Sequence, residues 1–268
     1  MERPTPFRPY FRENPGPERM GNGRLSLGRS TAIVATYRAQ TQERAMSEGE
    51  APTTREKLLD AARAQLDRAG AEQLSMRAIA RSLELSPGAP YRHVRSREEL
   101  LTTLAAEAYR DLAGAMRRAA DQKMSGRERW VAAWRAAHTW ALDYPNRFSL
   151  IYGASAIDFS NPEMTTAAAL RVPLELARIA KGGRNKALTG PETRALGVDL
   201  WRIRMTFGSL DAELAELPDG LIVSVIRAWT ELVGTITLEM TERYAGLFDD
   251  HLGYLDTVAN QWAGTLQL

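Results

Sequence analysis

Apolar residues recur at helical spacing from Thr53 almost to the end of the chain, and this periodicity constrains the fold more than any other feature. Leu58, Leu59 and Leu66 fall on one helix face, and Gly70 ends that first pattern. No stretch alternates apolar and polar residues over a useful strand length. The sequence therefore predicts an all-α protein of nine or ten helices.

The composition excludes several classes of protein. The 268 residues include no cysteine, which rules out disulfides and thiolate metal sites and fits a reducing cytoplasm. Three histidines offer no metal constellation, and we find no Ser-His-Asp signature and no glycine-rich phosphate loop. Arg227, Glu231 and Glu239 interrupt the longest apolar run, so none is expected to span a membrane. We expect a cytoplasmic protein that is no enzyme, with no metal, cofactor or membrane partner.

The first 45 residues differ in charge from the rest of the chain. They hold eight Arg and four Glu, a net charge of +4, whereas the whole chain carries +2, so the remainder carries −2. Five prolines and four glycines punctuate this stretch. We therefore expect residues 1–50 to form a disordered basic tail. It could be an arm that grips the DNA backbone, a dispensable segment, or a stretch upstream of a natural start at Met46.

The segment SMRAIARSLELSPGAPYRHVRSREELL, residues 75–101, has the pattern of a helix-turn-helix. Ser75 can cap one helix that ends near Leu83, and Glu84-Leu85 forms a short turn. Ser86 can cap the recognition helix, with Pro87 at its first position. An earlier helix precedes this motif, since Thr53-x-x-Glu is a capping box.

The recognition helix is expected to be short and to carry a basic patch. Pro90 has no N–H, so a helix that starts at Ser86 lacks its first internal hydrogen bond. Ser96 and Glu99 form a capping box for a long fourth helix. Residues 77–97 hold five arginines and one histidine against one acidic residue. That local positive charge is what a phosphate backbone attracts.

T-x-x-x-L-L-x-A-A, followed by residues 75–101, resembles the N-terminal DNA-binding domain of TetR-family transcriptional regulators. The resemblance covers about residues 53–104. It implies a homodimer with two DNA-reading heads and a C-terminal domain that binds a small effector. It also implies phosphate contacts from Tyr91, His93 and Arg97, where Arg97 stands in place of the family's usual lysine.

Direct base reading is expected mainly from Ser86, Arg92 and Arg77, because arginine suits a bidentate contact with guanine. Gly88 lets the backbone approach DNA closely, and Ala89 can meet a thymine methyl. Each also has a structural interpretation: Ser86 could only cap, Tyr91 could only pack and Arg92 could only neutralise phosphate. The full set of DNA-binding candidates is Ser75, Arg77, Ser86, Gly88, Ala89, Tyr91, Arg92, His93 and Arg97.

The C-terminal half offers weaker signals for a ligand site. Trp130, Trp134 and His138 recur every four residues, a pattern that more often belongs to a core than to a ligand box. Pro173 either kinks a helix over residues 167–180 or begins a new one. We take the ligand-binding candidates to be Trp134, His138, Phe148, Tyr152, Arg171 and Trp201.

The last two predicted helices are candidates for a dimer interface. Residues 220–240 are apolar nearly all round, and Gly234 would let a facing helix approach. The final helix carries an apolar stripe of Leu252, Leu255, Val258, Ala259, Trp262 and Leu266. Both patterns also suit an internal core. YPNRFSLIYG and AWTELVGTITLE resemble the effector domain of one TetR subgroup, in which the second motif usually reads W-x-x-L-H-G, and here Val233 replaces the histidine.

These observations give one functional hypothesis and two alternatives. The chain is expected to comprise a tail (1–50), a helix-turn-helix domain (51–100) and an α-helical effector-binding and dimerisation domain (101–268). It would bind a near-palindromic operator as a homodimer and act as a repressor released by a small apolar effector. The alternatives are a constitutive or architectural DNA-binding repressor, and a helical interaction protein that does not bind DNA.

Overall fold

The computed structural model describes residues 53–153, 162–184 and 197–268, and within these ranges it is helical with no strand. The all-α prediction is confirmed, while the predicted tail lies outside the described residues. Ten α-helices and two short 3₁₀ helices occur in the described ranges. They are α1 Thr54–Ala69, α2 Met76–Ser82, the 3₁₀ turn Ala89–Arg92, α3 Arg97–Ala119, α4 Gly126–Asp143, α5 Pro145–Tyr152, α6 Pro162–Ala169, α7 Arg171–Ala180, α8 Gly197–Leu210, the 3₁₀ turn Ala212–Leu214, α9 Asp219–Met240 and α10 His251–Thr265.

Local capping chemistry fixes several helix ends. At the start of α1 the Thr53 hydroxyl accepts the Glu56 amide, and the Glu56 carboxylate accepts the Thr53 amide at 2.7 Å. Gly70 ends this helix with φ at +79°, a conformation that favours glycine. Ser125 and Glu128 make an equivalent capping box at α4. The sequence prediction for both ends of α1 is confirmed.

Helix α3 connects the N-terminal helices to the C-terminal helices. It packs on α1 of the head and on α4, α5, α6 and α7. The head, which comprises α1, α2 and the first 3₁₀ turn, shares one continuous hydrophobic core with the later helices. The predicted domain boundary at residue 100 falls inside α3, and the described residues from Thr53 onwards belong to one compact unit.

The C-terminal helices surround α4. This helix lies between α3 and α10 and also contacts α5, α7 and α9. Pro173 does not kink a helix. Helix α6 ends at Ala169 and α7 starts at Arg171, so Pro173 lies in the first turn of α7, where its missing N–H removes no helical hydrogen bond. Of the two interpretations of Pro173, the structure shows the new helix.

Helix α9 requires one correction to the sequence analysis. An 18-residue window of it has a mean hydropathy of 1.5, so by length and composition it could cross a membrane despite its charged residues. In the fold it packs against α4, α5, α7, α8 and α10. Its two glutamates also bond to neighbouring helices, since Glu239 contacts His138 and Glu231 accepts from Trp262. These are the contacts of a core helix.

Candidate nucleic-acid interface and effector site

The turn between α2 and the following segment has the geometry that its sequence predicts. Ser75 caps α2, since its hydroxyl accepts the Ala78 amide. After α2 ends, Glu84 adopts φ of +58° in the left-handed region, and the Leu85 amide donates to the Ala80 carbonyl at 2.9 Å. The chain therefore turns sharply at Glu84, and residues 86–88 beyond the turn are exposed.

The recognition element is shorter than the sequence predicts. It is a single 3₁₀ turn, Ala89–Arg92, preceded by Gly88, and no side chain caps it. The prediction that Ser86 caps an α-helix is therefore wrong, although the prediction of a short element is confirmed. Pro90 is the physical reason, because it cannot donate a helical hydrogen bond. The buried Pro90 instead uses its carbonyl to accept the amides of His93 and Val94, both at 3.0 Å.

The arginines around this turn are exposed and available for phosphate. Arg77 and Arg92 project from α2 and the 3₁₀ turn, together with Arg81, and within the described ranges none of the three takes part in an ion pair. Tyr91 is 51% exposed and His93 is exposed as well. Packing alone does not account for an exposed tyrosine among unpaired cations. Contact with a polyanion would use both the tyrosine and the cations.

The remaining candidates differ in exposure. Ser86 and Gly88 are exposed, whereas Ser75 and Ala89 are half-buried. A Cβ built on Gly88 would meet nothing within 4 Å, so the fold itself does not require glycine there. Arg95, which the sequence analysis did not choose, has a side chain 91% exposed beside its partner Glu99. Arg81 and Arg95 both belong to the predicted basic patch, so the exposed surface has two arginines beyond the chosen DNA-binding candidates.

The start of α3 forms only half of the predicted capping box. The Ser96 hydroxyl accepts the Glu99 amide at 3.2 Å, but the Glu99 carboxylate accepts the Arg95 amide at 2.9 Å rather than that of Ser96. Partial burial opposes ionisation of this carboxyl, yet hydrogen bonds from the Arg95 amide and guanidinium hold the pKa of Glu99 below its ordinary value. Glu99 thus stays charged and fixes the backbone next to Arg97.

Arg97 holds the loop between α1 and α2. Its Nε donates to the Leu74 carbonyl at 3.0 Å, and its Nη2 donates to the carbonyls of Ala71 and Glu72 at 2.6 and 3.3 Å. Two of its three nitrogens are therefore used within the head. The phosphate contact that the family resemblance implies remains a prediction, with Nη1 as the nitrogen that could make it.

The ligand candidates on α4 are buried, and one of them forms a hydrogen bond with a side chain of another helix. Trp134 is fully buried. His138 Nε2 lies 3.0 and 2.9 Å from the two carboxylate oxygens of Glu239, and both side chains are largely enclosed. This contact joins α4 to α9. Glu239 was not predictable as a partner of His138, because the two lie 101 residues apart and no local pattern connects them.

The candidates on α5 belong to an aromatic cluster of Tyr109, Phe148, Tyr152 and Trp229. The Tyr152 ring lies 5.1 Å from Phe148, 5.6 Å from Tyr109 and 6.4 Å from Trp229, between ring centroids. The Trp229 indole donates to the Tyr152 hydroxyl, and the Tyr109 hydroxyl donates to the Ile151 carbonyl at 2.8 Å. Burial raises the pKa of Tyr109 to about 12 and raises that of Tyr152 further, so both phenols stay neutral.

The other two candidates stand apart from this cluster. Arg171 is half-buried on α7, and Trp201 is 56% exposed on α8. The six ligand candidates therefore do not gather at one place in the described structure. A groove of about 420 Å³ lies elsewhere, between α1 and α2 of the head, and none of the six lines it.

A charged contact joins the head to the C-terminal helices. Arg147 of α5 donates from Nε and Nη2 to the two carboxylate oxygens of Asp67 in α1, at 2.7 and 2.6 Å. Its Nη1 also reaches Asp111 of α3 at 3.2 Å, and Asn146 donates to the Asp67 carbonyl at 2.8 Å. Such a bidentate pair fixes distance and orientation. The sequence analysis missed it, since the partners lie 80 residues apart.

Two family models match the chain over these elements. The model described as bacterial regulatory proteins of the tetR family matches residues 58–104, which include the helix-turn-helix. The model described as a tetracyclin repressor-like C-terminal domain matches residues 130–259. These ranges agree with the two halves that the sequence resemblance implied.

Relatives and solved structures agree with the family models. The HTH-type transcriptional regulators Rv1816 of Mycobacterium tuberculosis and Mb1846 of Mycobacterium bovis are each 34% identical to this chain over 197 residues, which cover 70% of this chain and 81% of the relative. The structure of regulatory protein SCO4313 has a TM-score of 0.62 at 24% identity and covers 86% of this chain and 98% of its own. A Rhodococcus sp. RHA1 protein of unknown function has a TM-score of 0.53 at 21% identity, over 82% and 96% of the two chains. The last two likenesses concern the fold alone. The family models and the relatives show that this chain belongs to the TetR family, and that it is a transcriptional regulator with a DNA-binding helix-turn-helix and not an enzyme.

Proposed function

We propose that the chain is a cytoplasmic, homodimeric repressor that binds a near-palindromic operator and is released by a small apolar effector. The observation that carries the proposal is the dual role of α5. Arg147 on this helix holds Asp67 of the head, while Phe148 and Tyr152 on the same helix belong to the interior aromatic cluster. A ligand that displaced the cluster would therefore move the group that orients the head.

DNA recognition is assigned to the exposed residues of α2 and the 3₁₀ turn. Arg92 and Arg77 are unpaired within the described ranges and could each reach guanine or phosphate. Tyr91 and His93 are assigned to phosphate contacts, which their exposure supports. Gly88 exposes its backbone without a side chain above it, so a groove wall could approach closely.

Dimerisation is assigned to α9 and α10. Leu238 and Leu252 on these helices are 41% and 44% exposed, which leaves apolar surface uncovered in one protomer. A Cβ on Gly234 of α9 would meet nothing within 4 Å, so a partner helix could lie against it. A twofold axis through these helices would place two heads about one DNA turn, or roughly 34 Å, apart.

The effector is proposed to act through α5 and α3. It would bind one arrangement of the aromatic cluster better than the other and shift the head through Arg147 and through α3. Coupling energies of this kind are typically about 1–3 kcal/mol, which corresponds to a change of about 5–150-fold in DNA affinity.

The test is a titration against DNA from the gene's own upstream region and against scrambled DNA. Arg92→Ala should lower affinity for the upstream DNA at least tenfold, whereas Arg202→Ala, which removes an exposed arginine of α8, should change it less than twofold. Equal binding to both DNAs by the unmodified protein would argue against specific recognition by this surface.

A second candidate is a constitutive repressor with a solid C-terminal core. It is favoured by the contacts that His138 makes with Glu239 and Tyr152 makes with Trp229, because these polar groups already satisfy one another. Release of bound DNA by apolar compounds separates the two candidates. A constitutive repressor would stay bound at every compound concentration.

A further inference from the structure

Buried donors without acceptors are concentrated on α4. Among the described residues, the buried side-chain nitrogens that have no hydrogen-bond partner are Arg129 Nε, Trp130 Nε1, Trp134 Nε1 and His251 Nδ1. The first three lie within six residues of one helix. Trp130 and Trp134 are both fully buried, and their ring centroids are 6.1 Å apart, so the two indoles are neighbours.

Two other indoles of this domain do have hydrogen-bond acceptors. The indole N–H of Trp229 donates to the Tyr152 hydroxyl, and that of Trp262 donates to the Glu231 carboxylate at 2.7 Å. A buried N–H with no acceptor forfeits the hydrogen bond that water gave it in the unfolded chain, and folded proteins rarely leave such groups. At these two adjacent indoles, the described protein groups supply no acceptor oxygen.

The chemistry of these nitrogens specifies the ligand. An indole nitrogen can only donate, and a guanidinium nitrogen can only donate. The site therefore selects acceptor oxygens and offers nothing to an amine. His138, one turn beyond Trp134, already has Glu239 as its partner. The donors that lack an acceptor are therefore confined to the first part of the helix.

We propose that Trp130 and Trp134 bind the acceptor oxygen of the effector, which is an apolar molecule with a carboxylate or an ester carbonyl at one end. This inference rests on the proposed ligand-responsive function and names the chemical class of that ligand. Because both rings are enclosed in the free protein, the ligand must displace the side chains that cover them, and that displacement supplies the coupling to the rest of the domain.

The test is the indole ¹⁵N–¹H spectrum of the full chain, in which the tryptophan signals are assigned by single Trp→Phe substitutions. The probes are linear carboxylates from butyrate to palmitate, their methyl esters and the matching alkylamines. The acids or esters should move the Trp130 and Trp134 signals downfield, as a new acceptor does, while the amines leave both unchanged. A response to the acids alone assigns a carboxylate, and an equal response to the esters assigns a carbonyl oxygen.

Affinity measurements on variants give an independent readout. Trp134→Phe should weaken binding of the responding probe about tenfold, because the acceptor is left unpaired. Trp140→Phe is the control, since Trp140 is buried on the same helix but its nitrogen is not among the unpaired groups, and it should change affinity less than twofold. Where Trp130→Phe or Trp134→Phe fails to fold, substitutions at the other four tryptophans assign the two remaining signals by elimination, and the spectrum of the unmodified protein stays decisive.

The outcomes separate this inference from the proposed function. Indole shifts without release of DNA would support the ligand class and contradict the ligand switch. Release of DNA by a compound that leaves both indole signals in place would support the switch and overturn the inference. If neither acids nor esters move the two signals, the inference is overturned.

Discussion

The contact between Arg147 and Asp67 gives the sharpest prediction for the link between the head and the C-terminal helices. The guanidinium spans both oxygens of Asp67 and also reaches Asp111, and its side chain is only 13% exposed. Removal of all three contacts by Arg147→Ala should therefore loosen the head and lower stability. The same substitution should also weaken the coupling between the C-terminal helices and DNA binding.

The size of the stability loss on Arg147→Ala follows from how exposed Asp67 and Asp111 are. A hydrogen bond to a charged group contributes about 1.5–3 kcal/mol when enclosed, whereas an exposed ion pair contributes about 0–1 kcal/mol. Asp67 and Asp111 are 34% and 50% exposed, so water can replace much of what Arg147 supplies. We expect the free energy of unfolding to fall by about 1–2 kcal/mol, between these limits. If that energy holds the heads in register, DNA affinity falls by about 5–30-fold.

The assay combines urea unfolding with DNA titration. Arg135→Ala is the matched control, because Arg135 makes an equally bidentate contact with Asp256, at 2.7 and 2.5 Å, but joins α4 to α10 instead of the head. It is 55% exposed, so its removal should cost less than about 1 kcal/mol and leave DNA affinity unchanged. The reasoning is refuted if Arg147→Ala leaves DNA affinity at the level of this control.

Three other predictions test the head and the aromatic cluster. Arg97→Ala should lower the free energy of unfolding in urea by about 1–3 kcal/mol, because it removes the donors to the α1–α2 loop, and an unchanged urea midpoint would contradict this role. Gly88→Val should keep stability within about 0.5 kcal/mol, since a Cβ meets open space, yet lower DNA affinity measured by fluorescence anisotropy at least tenfold; full affinity would show that DNA does not approach there. Tyr109 should ionise near pH 12 in an ultraviolet titration of the folded protein. Because this pKa lies above the unfolded value of about 10, the stabilisation is complete below pH 10 and is lost as pH rises towards 12. Tyr109→Phe should remove that part of the alkaline pH dependence, and an unaltered profile would assign it to other groups.

Local chemistry explains which parts of the fold were predictable from the sequence. The ends of α1 follow from Thr53, Glu56 and Gly70, whose effects reach no further than one helical turn. The predicted start of the recognition element was wrong, because the serine-proline pair at 86–87 has the pattern of a helix N-terminus. The effect of Pro90 then left only a 3₁₀ turn.

Long-range contacts explain what the sequence could not indicate. The pairs Arg147 with Asp67 and His138 with Glu239 are separated by 80 and 101 residues, and each depends on how helices meet after folding. The burial of Trp134 was predictable from helical spacing, but its missing acceptor was not, since that depends on every neighbour at once.

The most direct test of the account is a hydroxyl-radical footprint of the protein on its own upstream DNA. Two heads on a twofold axis predict two symmetric protected patches about one helical turn, or roughly 34 Å, apart. Arg92→Ala should weaken both patches equally, because each protomer contributes one. A single protected patch, or two patches that respond unequally to the substitution, would contradict the proposed symmetric dimer.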